Sequence, residues 1–263
     1  MTVDDVLLVD TVERVATVTL NRPGARNALD RELRRALQRT MHTLGSDDDV
    51  DVVILTGADP AFCAGLDLKE LAAGPDRGVE ALVADDSPPW ERGPFPPIDK
   101  PVIGAVNGVA VTGGFELALR CDLLVASERA AFADTHARVG IMPDWGLTVL
   151  LPQAVGVRRA REMSATGNFV DVGTALAWGL VNHVVPHDDL LPFCRRLAAD
   201  IVSNDQRAVR RVLDTYAEGA RLSAGDAWRV EAAAAHDWRG SGIDPAEVEA
   251  RRSAVTQRGR SQL

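Results

Sequence analysis

The chain has 263 residues, 46% hydrophobic and 25% charged, which is enough apolar material for one large core. Its formal net charge of -9, from 29 basic and 38 acidic side chains, argues against a general nucleic-acid binder, because phosphate binding calls for a basic surface. Three cysteines, Cys63, Cys121 and Cys194, imply no disulfide framework and fit a reducing compartment. The first ten residues lack a basic leader pattern and no apolar run reaches membrane-spanning length, so no membrane partner and a cytoplasmic location are expected.

Residues 6–9 and 15–20 are rich in β-branched side chains and predict a hairpin or two neighbouring strands. NRPG at 21–24 is turn chemistry. Asp30 then reads as the N-cap of a helix to about Leu44, with Leu33, Leu37, Met41 and Leu44 on one face. A short apolar strand follows at 51–56, and residues 66–73 read as a short helix. Residues 74–97 carry six prolines with Trp90 and Phe95 among them, which predicts an irregular loop, either a functional cover or a surface insert. Strand 101–106, helix 115–120 and strand 123–126 continue an alternation that argues for an α/β fold with largely parallel pairing. From Val157 onward the pattern is mainly helical, at 158–165, 172–178, 188–203, 205–219 and 227–238, and the polar residues 257–263 read as frayed. The expected division is a core over 1–200 and a helical region over 201–263.

No Walker A sequence, Rossmann glycine fingerprint or nucleophile elbow is present, and the cysteines have no CxxC spacing. His183 and His187 are separated by Pro186 and read as surface or cap residues, so no metal site is expected. Two glycine-containing turns remain, FCAGLDLK at 62–69 and NGVAVTGGFE at 107–116, each after a strand and before a helix. Glycine admits unusual dihedrals and close approach, and the first amides of a helix have no internal partner. Two such turns side by side would aim two N–H groups at one carbonyl oxygen that becomes negative; each turn alone is equally a tight connection. Glu116, just inside the second helix, complements the helix dipole. Beside Phe115 and Leu117 it is also placed for partial burial and proton transfer.

NRPGARNAL at 21–29, VILTG at 53–57, AFCAGLDLK at 61–69, KPVIGAVNG at 100–108, GGFELA at 113–118 and AWGLV at 177–181, with Cys121, Asp122, Phe132 and Gly140, resemble the enoyl-CoA hydratase/isomerase (crotonase) superfamily in order and spacing. The resemblance covers roughly residues 5–200 well and the tail loosely. It implies an α/β spiral of ββα turns, with a C-terminal helical region that assembles trimers or dimers of trimers. It implies a coenzyme A thioester as substrate and no tightly bound cofactor. The oxyanion hole would be the amides of Leu66 and Gly113. Ala61, Phe62, Ala64, Gly65, Asp67, Leu68 and Lys69 would lie along the CoA, and Trp90, Phe95 and Trp145 would wall the acyl pocket.

Two positions depart from the family pattern. Hydratases of the family use two glutamates; Glu116 matches the first, and His136 stands where the second should be. Histidine there is a general acid or base, or a bystander. Asp144 follows Met142 and Pro143 where hydratases carry glycine; it is either an acid/base partner of Glu116 or the N-cap of a helix beginning near Trp145. Asp134 and Arg138 are close enough in the chain to tune either group. The resemblance thus implies addition of water to a 2-enoyl-CoA. Double-bond isomerisation by Glu116 and Asp144, and acyl-CoA binding without turnover, are the alternatives, with a nucleophilic Asp144 a distant fourth.

Overall fold

Leu7–Val12 (β2) and Val15–Leu20 (β3) form the expected antiparallel hairpin, and Val3–Asp4 (β1) pairs along its outer edge. The computed structural model describes residues 3–4, 6–73, 92–240 and 244–262. Arg31–Ser46 (α1) follows, capped by the Asp30 carboxylate, which accepts from the Leu33 amide at 2.9 Å. Its buried stripe of Leu33, Ala36, Leu37, Met41 and Leu44 lies in the main core.

Three ββα turns then build the centre. They are Val52–Gly57 (β4), Ala61–Cys63 (β5) and Leu68–Ala72 (α2); Val102–Val106 (β6), Val109–Val111 (β7) and Gly113–Leu119 (α3); and Leu123–Ser127 (β8), Ala131–Ala133 (β9) and His136–Val139 (α4). The first strand of each turn joins a seven-stranded sheet ordered β1-β2-β3-β4-β6-β8-β11, parallel from β3 onward, with His183–Val185 as β11. The second strand of each turn joins a smaller parallel sheet of β5, β7 and β9, closed antiparallel by Val170–Asp171 (β10). The strands of this smaller sheet have two or three residues each, too short to show a period of two; the sequence reads β5 and β7 as parts of glycine turns and assigns β9 and β10 to no element.

Alternation along the long strands divides the core in two. Val53 and Leu55 of β4, with Val102 and Val106 of β6, face the main core. Ile54 and Ile103 face a second apolar layer that contains Leu190, Cys194 and Ala198. Those three sit four residues apart on Leu190–Val202 (α8), one stripe of a helix packed on the sheet. Leu147–Val155 (α5), Val157–Thr166 (α6) and Val172–Trp178 (α7) complete this unit.

Residues 1–206 and 207–263 form two compact units. The second holds most of Gln206–Gly219 (α9), then Ala224–Gly240 (α10) and Pro245–Gln262 (α11). The Arg207 guanidinium stacks 5.2 Å from the Trp238 ring centroid. The tail expected to fray from residue 257 is instead helical to Gln262. Among the described residues no helix is long and apolar enough to cross a membrane.

Candidate active site

Two turns converge beside the start of α3. Gly65 has φ of +89°, which only glycine adopts at little cost, and its carbonyl accepts from the Leu29 amide at 2.7 Å. A methyl group on Gly65 would lie 2.8 Å from the Val111 carbonyl and 3.3 Å from the Gly113 nitrogen. One on Gly113 would lie 3.7 Å from the Leu66 nitrogen and 3.2 Å from the Trp145 ring. The Leu66 and Gly113 amides are therefore neighbours, and neither donates a hydrogen bond among the described residues.

Helix α3 begins at Gly113, two residues before the pattern predicts. The cause lies in tertiary packing. A methyl on Gly114 would sit 2.2 Å from the Cys63 carbonyl oxygen, so the helix start is pressed against β5. Thr112 precedes it at φ 53°, ψ −119°, an unfavourable conformation for a β-branched residue. The Thr112 hydroxyl shares a short hydrogen bond with that of Thr135, which immediately precedes α4. That contact sets the first turns of α3 and α4 side by side, and with them Glu116 and His136. Sequence reasoning misses Thr112, because threonine carries no signal for positive φ.

Glu116 is 3% exposed and His136 4%. His136 Nε2 lies 3.3 Å from Glu116 Oε2, and His136 Nδ1 lies 2.6 Å from Asp134 Oδ1. The other oxygen of Glu116, Oε1, accepts from the amides of Trp145 at 2.9 Å and Leu147 at 3.4 Å. Burial by itself would lower the His136 pKa, but hydrogen bonds to Asp134 and Glu116, and their charges, outweigh it and raise it to about 9. Burial likewise opposes ionisation of Asp134, yet hydrogen bonds from His136 and Ser164 hold its carboxyl below the usual range. At neutral pH the His136 imidazolium lies between the Asp134 carboxylate and Glu116. His136 is thus brought into direct contact with Glu116.

Asp144 is exposed and caps no helix; α5 begins at Leu147 with Gly146 before it. The neighbouring Trp145 does reach the site, through its amide and through its buried ring beside Gly113. The side chains of Ala61 and Phe62 are fully buried, so a ligand would meet that stretch through its backbone. Ala64 is partly exposed, Leu68 and Lys69 are exposed, and Asp67 caps α2 by accepting from the Lys69 amide at 3.0 Å. Asp67 also pairs with Arg22 at 3.2 Å, and Arg22 with Asp30 at 2.9 Å, tying the first turn motif to the second. Phe95 is buried in the main core, and Trp90 lies outside the described residues. His187 bridges Ser127 Oγ and Asp59 Oδ2 at 3.0 Å each; because Ser127 is fully buried, this is a staple between segments. No group of acidic, histidine and cysteine side chains able to hold a metal occurs among the described residues.

The family model for enoyl-CoA hydratase/isomerase matches residues 10–238. A probable peroxisomal enoyl-CoA hydratase 1 of Arabidopsis thaliana is 38% identical over 245 residues, 93% of this chain and 90% of the relative. The crystal structure of an enoyl-CoA hydratase from Mycobacterium smegmatis matches with a TM-score of 0.73 and 56% identity, covering 89% of this chain and 99% of that one. A monofunctional enoyl-CoA isomerase from M. smegmatis matches with a TM-score of 0.68 and 33% identity, over 83% of this chain and 95% of that one. The stacked ββα turns, the paired amides and these matches across nearly the whole chain make it an enzyme of the enoyl-CoA hydratase/isomerase family, which acts on coenzyme A thioesters.

Proposed function

We propose that the protein adds water across the 2,3 double bond of an enoyl-CoA, with Glu116 as its acid/base. The observation that carries this reading is the buried Glu116–His136 contact next to the amides of Leu66 and Gly113, which have no partner among the described residues. The thioester oxygen accepts from both amides. Water gives a proton to Glu116 as its oxygen bonds to the β-carbon, and the π electrons move to the thioester oxygen as an enolate. The enolate then re-forms the carbonyl while the α-carbon takes a proton from Glu116. Both ring nitrogens of His136 are engaged, so His136 holds and charge-balances Glu116. These steps use only the chain's own groups and the thioester, so no tightly bound cofactor is invoked.

The CoA would run along the backbone from Ala61 to Gly65, with the exposed Lys69 a partner for its phosphates. The Trp145 ring, packed against the Gly113 turn, supports its reading as a wall of the acyl pocket. Three unpaired cysteines agree with a reducing cytoplasmic compartment. Exposed aromatic residues of the second unit, Tyr216 and Trp228, support the reading of that region as an oligomerisation element for a trimer or a dimer of trimers. A second reading, double-bond isomerisation by Glu116 with Asp144, is favoured by the position of Asp144 in the chain. Asp144 directly precedes the residue whose amide holds Glu116 Oε1, at an open position.

Incubation with crotonyl-CoA and a 3,5-dienoyl-CoA in heavy-oxygen water, followed by mass spectrometry, separates the two. Heavy oxygen in a 3-hydroxyacyl product is the expected result; a moved double bond without oxygen gain would establish the isomerase instead. Glu116→Gln is expected to lower turnover by about 10²- to 10⁴-fold while CoA affinity is kept. Unchanged turnover would remove Glu116 from the mechanism.

A further inference from the structure

Glu116 has little hydrogen-bonding capacity left. A carboxylate offers about four lone-pair sites. Oε1 accepts from two backbone amides, and Oε2 faces His136 Nε2 at 3.3 Å. The open site is on Oε2, so a proton that Glu116 carries sits on the same oxygen that faces the imidazolium. An unanchored imidazolium at 3.3 Å could surrender its proton to that oxygen, leaving a neutral pair with no base. Asp134 opposes this transfer, since its Oδ1 holds the far ring nitrogen at 2.6 Å.

We propose that Asp134 is a positioning residue acting through His136: it keeps the proton on the imidazole and fixes the ring, so that Glu116 alone carries the reacting proton, on Oε2. This inference rests on the reading of Glu116 as the acid/base. The surroundings of His136 agree with it. From α3 it meets Glu116, and from the segment before α4 it meets Asp134. Arg138, the other charged residue of α4, is turned to Thr166 and Asn168. The charged groups of α6, Arg158, Arg159, Arg161 and Glu162, are exposed, and α6 contributes the Ser164 hydroxyl to Asp134 instead. His136 therefore has one acidic side chain at each ring nitrogen, and removing Asp134 takes away the nearer of the two. Nothing in the family resemblance assigns a role to an acidic residue at 134.

The test uses α-proton exchange, which needs only Glu116 and the enolate and so is common to hydration and isomerisation. Butyryl-CoA in D₂O loses its α-proton to Glu116, its electrons pass to the thioester oxygen, and deuterium returns from exchanged Glu116. Exchange rates from pH 6 to 10 would be measured by NMR for the wild type and for Asp134→Asn, Ser164→Ala and Glu116→Gln, with the His136 ring resonance followed in parallel. The wild type is expected to lose activity as pH rises through about 9. Asp134→Asn is expected to lower the maximal rate by about tenfold with KM within about twofold. Its alkaline limb and its ring titration should both move to lower pH. Ser164→Ala, which loosens Asp134 without removing it, should move both in the same direction by less; it decides the matter if Asp134→Asn does not fold. An alkaline limb that stays at the wild-type position would overturn the inference, whether the rate falls or not, because a merely structural role leaves the limb in place. Exchange that survives Glu116→Gln would instead overturn the acid/base assignment on which the inference rests.

Discussion

In the proposed mechanism His136 links the chemistry of the site to the stability of the fold. Its value in an unfolded chain is about 6.5, and in the folded protein hydrogen bonds to Asp134 and Glu116 overcome burial and raise it to about 9. The folded state therefore holds the proton more tightly. The resulting stabilisation is complete below pH ~6.5 and is lost as pH rises through about 9. Urea midpoints measured across that window should fall more steeply for the wild type than for His136→Gln. Parallel slopes would show that the imidazolium adds nothing to folding. At this scale Glu116 was legible from its place after the glycine pair, and His136 from its place in the family pattern. The charge on His136 was not legible, because it depends on two carboxylates that the chain brings up from different segments.

Among the helices, two aspartates that look alike in sequence differ in what they do. Asp30 accepts from the Leu33 amide and starts α1, whereas Asp144 precedes Gly146, which itself stands at the start of α5. Asp30→Ala is expected to cost about 1 kcal/mol, and Asp144→Ala less than about 0.5 kcal/mol, as for an exposed surface position. Chemical denaturation of the two variants checks this; equal losses would return Asp144 to a capping role. The β-branched runs, the Asp30 cap and the stripe of α1 were readable because each is a local pattern. The small sheet was not, since β5, β7 and β9 have three residues each and are stabilised by pairing with one another.

For the molecule as a whole, the large sheet carries the apolar layers while the small sheet and the helix starts beside it carry the site. The exposed Tyr216 and Trp228 of the second unit, 72% and 71% accessible, are more apolar surface than a helical region standing alone needs. The proposed assembly predicts a sedimentation mass three or six times the chain's 28.2 kDa. Substituting both residues by serine should lower that mass. A monomer in the wild type would remove the assembly from the reading.

Hydrophobic periodicity, turn residues and caps settle most of the long strands and many of the helices, though not α11, because those signals act over a few neighbouring residues. They also settle that two glycine turns precede two helices and that Glu116 follows one of them. Only the tertiary structure decides that the amides of Leu66 and Gly113 meet, that the Trp145 amide reaches Glu116, and that Asp134 and Glu116 stand on either side of His136. The reason is physical. Hydrogen bonds and pKa values respond to distances of a few ångströms and to burial, and segments far apart in the chain acquire those distances only when the sheets and helices pack.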